Sequence, residues 1–209
     1  MGMKDLVRER NRRGEGTRLR AEILAGAAQL LEESGSEEAV TLRAIARQVG
    51  ISAPSIYSHF PDREAIVDAI VDGAFSDFNA TIAEAACCAA SPAAQLRAGC
   101  AAYLKFAAER PSQYRLLFER KDLLDSGSRP VPEMRTESFR LMVERVQDCV
   151  DAGTSASDDA HRDCAAIWAA LHGFATLHSL LPGFPWPDTD AMLDRIVYGL
   201  AQISPRPTD

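Results

Sequence analysis

The chain predicts an all-α fold. Ala, Leu, Arg and Glu dominate it, all residues of good helix propensity. Apolar residues recur at helical rather than alternating spacing, and no run reads as a strand. The 209 residues are 46% hydrophobic and 25% charged, as in packed globular chains and unlike disordered or fibrous ones. No apolar run nears the ~18 residues of a membrane span. The polar, Arg-rich opening MGMKDLVRERNRRGEG lacks the apolar core of a secretory signal, so a cytoplasmic protein without membrane contact is expected.

About nine helices follow in order. The first runs from about Arg18 to Ser34, with Thr17 as its cap, Ile23, Ala27, Leu30 and Leu31 as its apolar face, and Gly35 at its end. Thr41 opens a short second helix whose buried face is Leu42, Ile45, Ala46 and Val49, and Gly50 closes it. Ser52 caps a short third helix, Pro54 sits in its first turn, and Ile56 and Phe60 face inward. Asp62 starts a long fourth helix to about Cys88. Ser91-Pro92 opens a fifth, to about Glu109, and Pro111 breaks it from a sixth, to about Arg120. Residues 122–132 (DLLDSGSRPVP) read as a loop, followed by helices over about 133–152, 158–181 and 190–203.

Net charge is −7, which by itself argues against a nucleic-acid partner. The distribution argues otherwise. Residues 4–20 carry seven basic side chains against three acidic ones, whereas residues 61–209 carry 14 against 22. A basic arm on an acidic body suits a polyanion on one side of the molecule. The five cysteines (Cys87, Cys88, Cys100, Cys149, Cys164) are odd in number and contain no C-x-x-C pair. Neither a disulfide framework nor a zinc site is expected, and no cofactor or metal. The enzyme signatures H-E-x-x-H, G-x-S-x-G and the P-loop are absent.

Residues 41–60 have helix-turn-helix spacing, with Gly50 in the turn and small Ala46 allowing close approach. Ile45, Val49, Ile51, Ile56 and Phe60 fill the wedge between the helices. Arg43, Arg47, Ala53, Pro54, Ser55, Ser58 and His59 remain outside, with Tyr57 beside them and no acidic residue on the outer face of the third helix. Such a face can enter a major groove beside phosphates.

These residues resemble the DNA-binding domain of the TetR family of bacterial transcriptional regulators, over about a quarter of the chain. Thr41, Ala46, Gly50, Ile51, Ser52, Ile56, Tyr57, Phe60 and Arg63 stand at the positions of its pattern, with Ile51 for Val, Ile56 for Leu and Arg63 for the commoner Lys. The stretch IWAALHGFATL, with Trp168, His172 and Gly173, is similar to the carboxy-terminal domains of many members.

The resemblance implies a basic arm over 1–16, a helix-turn-helix domain over 17–62 and a ligand-binding and dimerisation domain over 63–209. It assigns Thr41, Ser52, Tyr57 and Arg63 to the DNA backbone; Arg43 adds a phosphate or base contact. Ala53, Pro54, Ser55 and His59 are the expected base readers, and Arg12 and Arg13 suit the minor groove. Phe75, Phe78, Tyr103, Phe106, Tyr114, Phe118, Met142 and Trp168 are the expected ligand-lining residues, and Ala169, Ala170, Gly173 and Ala175 the expected dimer contacts. A non-enzymatic regulator is implied: a homodimeric repressor on palindromic double-stranded DNA, released by a small hydrophobic or aromatic effector. The alternative is a DNA-binding regulator without such an effector, controlled by a protein partner or by oxidation of Cys87 and Cys88.

Overall fold

Helix α1 (Glu15–Ser34) begins before Thr17, so that residue lies inside the first turn and does not cap it. The structure, a computed structural model, describes residues 15–118 and 133–204. The arm up to residue 14, with Arg12 and Arg13, and the loop expected at 122–132 lie outside the described residues. Among these residues there are nine α-helices and no β-strand, only an isolated bridge between Ser155 and Ile203. The chain divides into two compact units, Met1–Gly73 and Ala74–Asp209. No helix among the described residues is long and apolar enough to cross a membrane.

In the first unit α1 is followed by a 3-10 turn (Glu37–Ala39), α2 (Leu42–Val49), α3 (Ala53–Ile56) and the start of α4 (Arg63–Cys87). Ile23, Val40, Ile45, Ile56, Phe60 and Ile66 are buried. Thr41 caps α2, its hydroxyl oxygen accepting from the Ala44 N–H at 3.1 Å. Gly50 ends α2 in the left-handed region at φ 73°, and the Ile51 N–H then reaches the Ala46 carbonyl at 2.9 Å. A side chain at Gly50 would strain this turn. Helix α3 is a single turn, shorter than the stretch to Phe60 that the sequence suggests. Beyond Ile56 the chain tightens, the His59 and Phe60 N–H groups both donating to the Ile56 carbonyl. Helix α1 packs on α2 so closely that a Cβ on Gly26 would stand 2.7 Å from Val49 Cγ2.

In the second unit α5 (Pro92–Glu109) is the central helix. It packs against α6 (Pro111–Phe118), α7 (Glu133–Asp151), α8 (Ala160–Leu180) and α9 (Thr189–Leu200). The Ser91 hydroxyl oxygen accepts from the Ala94 N–H and caps α5. On its buried side lie Leu96, Cys100, Tyr103 and Phe106. Arg97 ties α5 to α9 through Asp194 (2.5 Å) and Asp190 (3.0 Å). Asp159 and Asp188 cap α8 and α9. The Ser155 hydroxyl donates to the Ala201 carbonyl at 2.6 Å and pins the end of α9.

The two helical glycines Gly26 and Gly73 separate packing from propensity. Gly26→Ala should lower the urea stability of the first unit by about 1–3 kcal/mol, because the new methyl overpacks against Val49. At Gly73, within α4, a Cβ meets nothing within 4 Å, so Gly73→Ala should stabilise by about 0.5–1 kcal/mol.

Candidate nucleic-acid interface

The exposed side of the α2–α3 corner is built from hydroxyls, two cations and small residues. Arg43, Arg47, Ser52, Pro54 and Ser58 are exposed, as is Thr41, and Tyr57 shows 59% of its surface. Residues 41–60 contain no Asp or Glu. The Ser52 hydroxyl does not cap α3 and is instead 2.7 Å from the Ser55 hydroxyl. The Ser58 hydroxyl donates to the Ser55 carbonyl at 2.8 Å. These bonds hold short polar side chains in fixed positions on a surface that phosphate oxygens can approach. Ala53, Ser55 and His59 are half-buried, so each shows only part of its surface.

Arg63 is used differently from the expectation. Its Nε donates to the Val40 carbonyl at 2.8 Å and its Nη2 to the Glu37 carbonyl at 2.5 Å. Its Nη1 lies 2.9 Å from a Glu64 carboxylate oxygen. The guanidinium is therefore spent on holding the chain ahead of α2 against the start of α4. That role places Thr41 and has no need of a free charge. Arg20 is a cation that sequence reasoning did not single out. Its guanidinium lies over the Phe60 ring, 4.7 Å from the centroid, which fixes a positive group beside the α3 turn. Among so many arginines of the basic segment, nothing in the sequence marks it.

In the second unit seven of the eight expected ligand residues, all but Met142, form a packed cluster. Phe78 makes edge contacts with Tyr103, Phe106 and Phe118 at centroid separations of 5.1–5.6 Å. Phe75 and Trp168 pack on Phe118, and Tyr114 stacks on His172. The hydroxyls of Tyr103 and Tyr114 are 2.8 Å apart, and Tyr114 Oη is 2.7 Å from His172 Nδ1. Burial pushes the Tyr103 phenol well above its ordinary range. Of the eight, Tyr103 and Met142 line an open space. It is a cavity of about 270 Å³ bounded by α4, α5 and α7. Rings that pack edge to face fill their own volume. The space opens where side chains are small, at Ala83, Ala86, Gly99 and Cys100.

On α8, Ala169 is exposed and Ala170, Gly173 and Ala175 are half-exposed; a Cβ at Gly173 would meet nothing within 4 Å. Beyond them Leu177, Leu180, Leu181 and Phe184 are 47–69% exposed, a large apolar surface for one helix end. Cys87 and Cys88 are exposed with their sulfurs 3.7 Å apart, whereas Cys100, Cys149 and Cys164 are buried. Desolvation pushes the Cys100 and Cys164 thiols up to about 12. No group of His, Cys, Asp or Glu able to hold a metal ion exists among the described residues.

Comparison with known proteins identifies the family of both units. Residues 96–200 match the family described as tetracyclin repressor-like, C-terminal domain, and residues 23–70 match the tetR family of bacterial regulatory proteins. The nucleoid occlusion factor SlmA of Yersinia enterocolitica is 36% identical over 53 residues, which is 25% of this chain and 27% of that protein. The chain thus spans about a quarter of the length of the curated relatives it matches. A protein of unknown function from Rhodococcus sp. RHA1 superposes with a TM-score of 0.74 at 26% identity, covering 88% of this chain and 94% of that one. A TetR-family transcriptional regulator from Pectobacterium atrosepticum gives 0.65 at 20% identity, with 92% and 95% covered.

Two outcomes follow from this geometry. Arg63→Met removes donors from two carbonyls and should destabilise the first unit by about 2 kcal/mol in urea unfolding. In the folded protein, iodoacetamide at mildly alkaline pH should modify Cys87 and Cys88 and spare the three buried thiols, as read by peptide mass. Thiols with a raised pKa stay protonated as pH rises, so pH alone should not expose Cys100 or Cys164.

Proposed function

The chain belongs to the TetR family and is a DNA-binding transcriptional regulator, and from that premise we propose a homodimeric repressor of a palindromic operator, released by a small apolar ligand. The observation that carries the DNA side is the α2–α3 surface, with Arg43 and Arg47 exposed and no carboxylate between residues 41 and 60. In this reading Thr41, Ser52, Tyr57 and Arg43 meet phosphates. Ala53, Pro54, Ser55 and His59 meet base edges, where small and apolar groups favour thymine methyls. Arg12 and Arg13 follow the minor groove. Arg63 acts as a positioning residue.

The dimer reading rests on the small residues Ala169, Ala170, Gly173 and Ala175, which let a second helix approach, and on the exposed apolar end of α8. Two reading heads on a two-fold axis match a palindrome with half-sites one or more DNA turns apart. The ligand reading rests on the cavity bounded by α4, α5 and α7. Helix α4 begins in the first unit and ends in the second. A ligand that binds better to a state with mismatched head spacing draws the population to that state and off the operator.

A second reading is favoured by the 3.7 Å separation of Cys87 and Cys88. A peroxide would oxidise the two thiols to a disulfide, their protons and the electron pair passing to the peroxide oxygens to give water. Reversible loss of DNA binding under oxidant, abolished in Cys88→Ser, would favour it over the ligand.

Selection of bound sequences from genomic DNA at about 0.1 M salt, followed by a salt titration, tests the proposal. A palindromic site is expected, and Arg43→Met, which removes one phosphate contact from each subunit of the dimer, should weaken binding to it and flatten the log–log salt slope by about 2. No enriched site in a folded dimeric sample would overturn the reading. Transcription of the neighbouring gene should rise on deletion; a fall would make the protein an activator.

A further inference from the structure

We propose that the cavity bounded by α4, α5 and α7 takes an elongated amphiphile with one anionic head group, held by Arg145 and Gln95, its apolar body lying along α5 toward Tyr103. This rests on the reading of that cavity as the effector site and adds the chemistry of its ligand.

The cavity's one charged group, Arg145, stands with Gln95 at one end, and the Ser138 hydroxyl lies about two turns away on α7. Arg145 Nη1 donates to Gln95 Oε1 at 2.9 Å, which joins α7 to α5 at one end. The same Nη1 lies 2.9 Å from Asp148 Oδ2. Among the described residues Nε and Nη2 of Arg145 make no hydrogen bond, so one edge of the guanidinium keeps two parallel donors. That edge matches the two oxygens of a carboxylate. From Gln95 the wall continues along α5 through Leu96, Gly99 and Cys100 to Tyr103. Eight residues of helix span about 12 Å. Opposite stand Ile82, Leu141 and Met142, all apolar. A compact ligand would leave half of this slot empty. A dianion or a sugar would bury polar groups against walls without partners. Gly99 sets the width, since a Cβ there would already lie 3.3 Å from Ile82 Cγ2.

The nearby acidic groups, Asp148 on α7 and Glu84 on α4, oppose an anion and make the head group a question of geometry rather than net charge. Asp148 is satisfied through Nη1, and Glu84 is exposed, where water screens it.

Isothermal titration of the full chain with octanoate, 1-octanol and octylamine at neutral pH tests the proposal. Octanoate should bind about tenfold more tightly than either analogue, the gain of a bidentate charge-assisted contact. Arg145→Gln should bring octanoate to within about twofold of octanol. Gly99→Val should weaken all three by narrowing the slot. The alcohol or the amine binding the native chain as tightly as octanoate would overturn the proposal, and so would the absence of binding by all three; this comparison does not depend on any variant folding. DNA release is read in parallel. Octanoate that binds in an Arg145-dependent way yet leaves the operator complex intact would uphold the head-group chemistry and overturn the effector reading.

Discussion

Arg63 donates from the first residue of α4 to the carbonyls of Glu37 and Val40, and the placement of the whole reading head follows from those two bonds. The segment between α1 and α2 holds one 3-10 turn, in which the Glu37 carbonyl also accepts from the Val40 N–H, and Arg63 supplies the donors that tie this turn to α4. Val40 is buried, and Thr41, the next residue, caps α2. Fixing Val40 therefore fixes where α2 starts. From there the left-handed Gly50 and the buried Ile56 and Phe60 leave α3 a single position. The N-terminal end of α4 is thus tied to the surface that carries Arg43, Ser52 and Tyr57. A shift of that end must carry α2 and α3 along or break the two bonds.

The second unit divides its side chains by size. Phe78, Phe106, Tyr114 and Phe118 pack against one another and make a stiff interior. The hydroxyls of Tyr103 and Tyr114 and the His172 ring satisfy one another inside it. The space bounded by α4, α5 and α7 opens where Ala, Gly and Cys replace bulk on α4 and α5. A rigid aromatic wall beside a soft slot can transmit the presence of a guest, because close-packed rings move together or not at all.

Much of this was legible in the sequence. The helix order, the Thr41 cap, the Gly50 turn and the buried Ile56 and Phe60 follow from capping, backbone freedom and apolar spacing, all of them local. The use of Arg63 was not legible, because its partners lie 23 and 26 residues earlier and are backbone carbonyls, which carry no sequence signal. Of the expected lining only Tyr103 and Met142 border the cavity, for a related reason. Large aromatic residues attract attention as ligand contacts, yet a cavity is made by missing volume. Only helix pairing in three dimensions shows where Gly99 and Ala86 face each other's gaps. Arg20 was invisible for a third reason, its position over Phe60 being set by packing across 40 residues.

The brevity of α3 has a consequence in terms of information. With Ile56 buried, the helix offers Ala53, Pro54 and Ser55, none of them long. A surface that small can specify about four base pairs, or about eight bits, and such a word recurs once in about 256 positions. Among about a million competing sites it appears thousands of times. A protein with this head cannot be addressed by one word. Two copies of the word at a set interval bring the chance matches down to about fifteen in a million. In the homodimer reading the second word carries as much of the address as the first, and a change in the interval puts one of the two words out of reach.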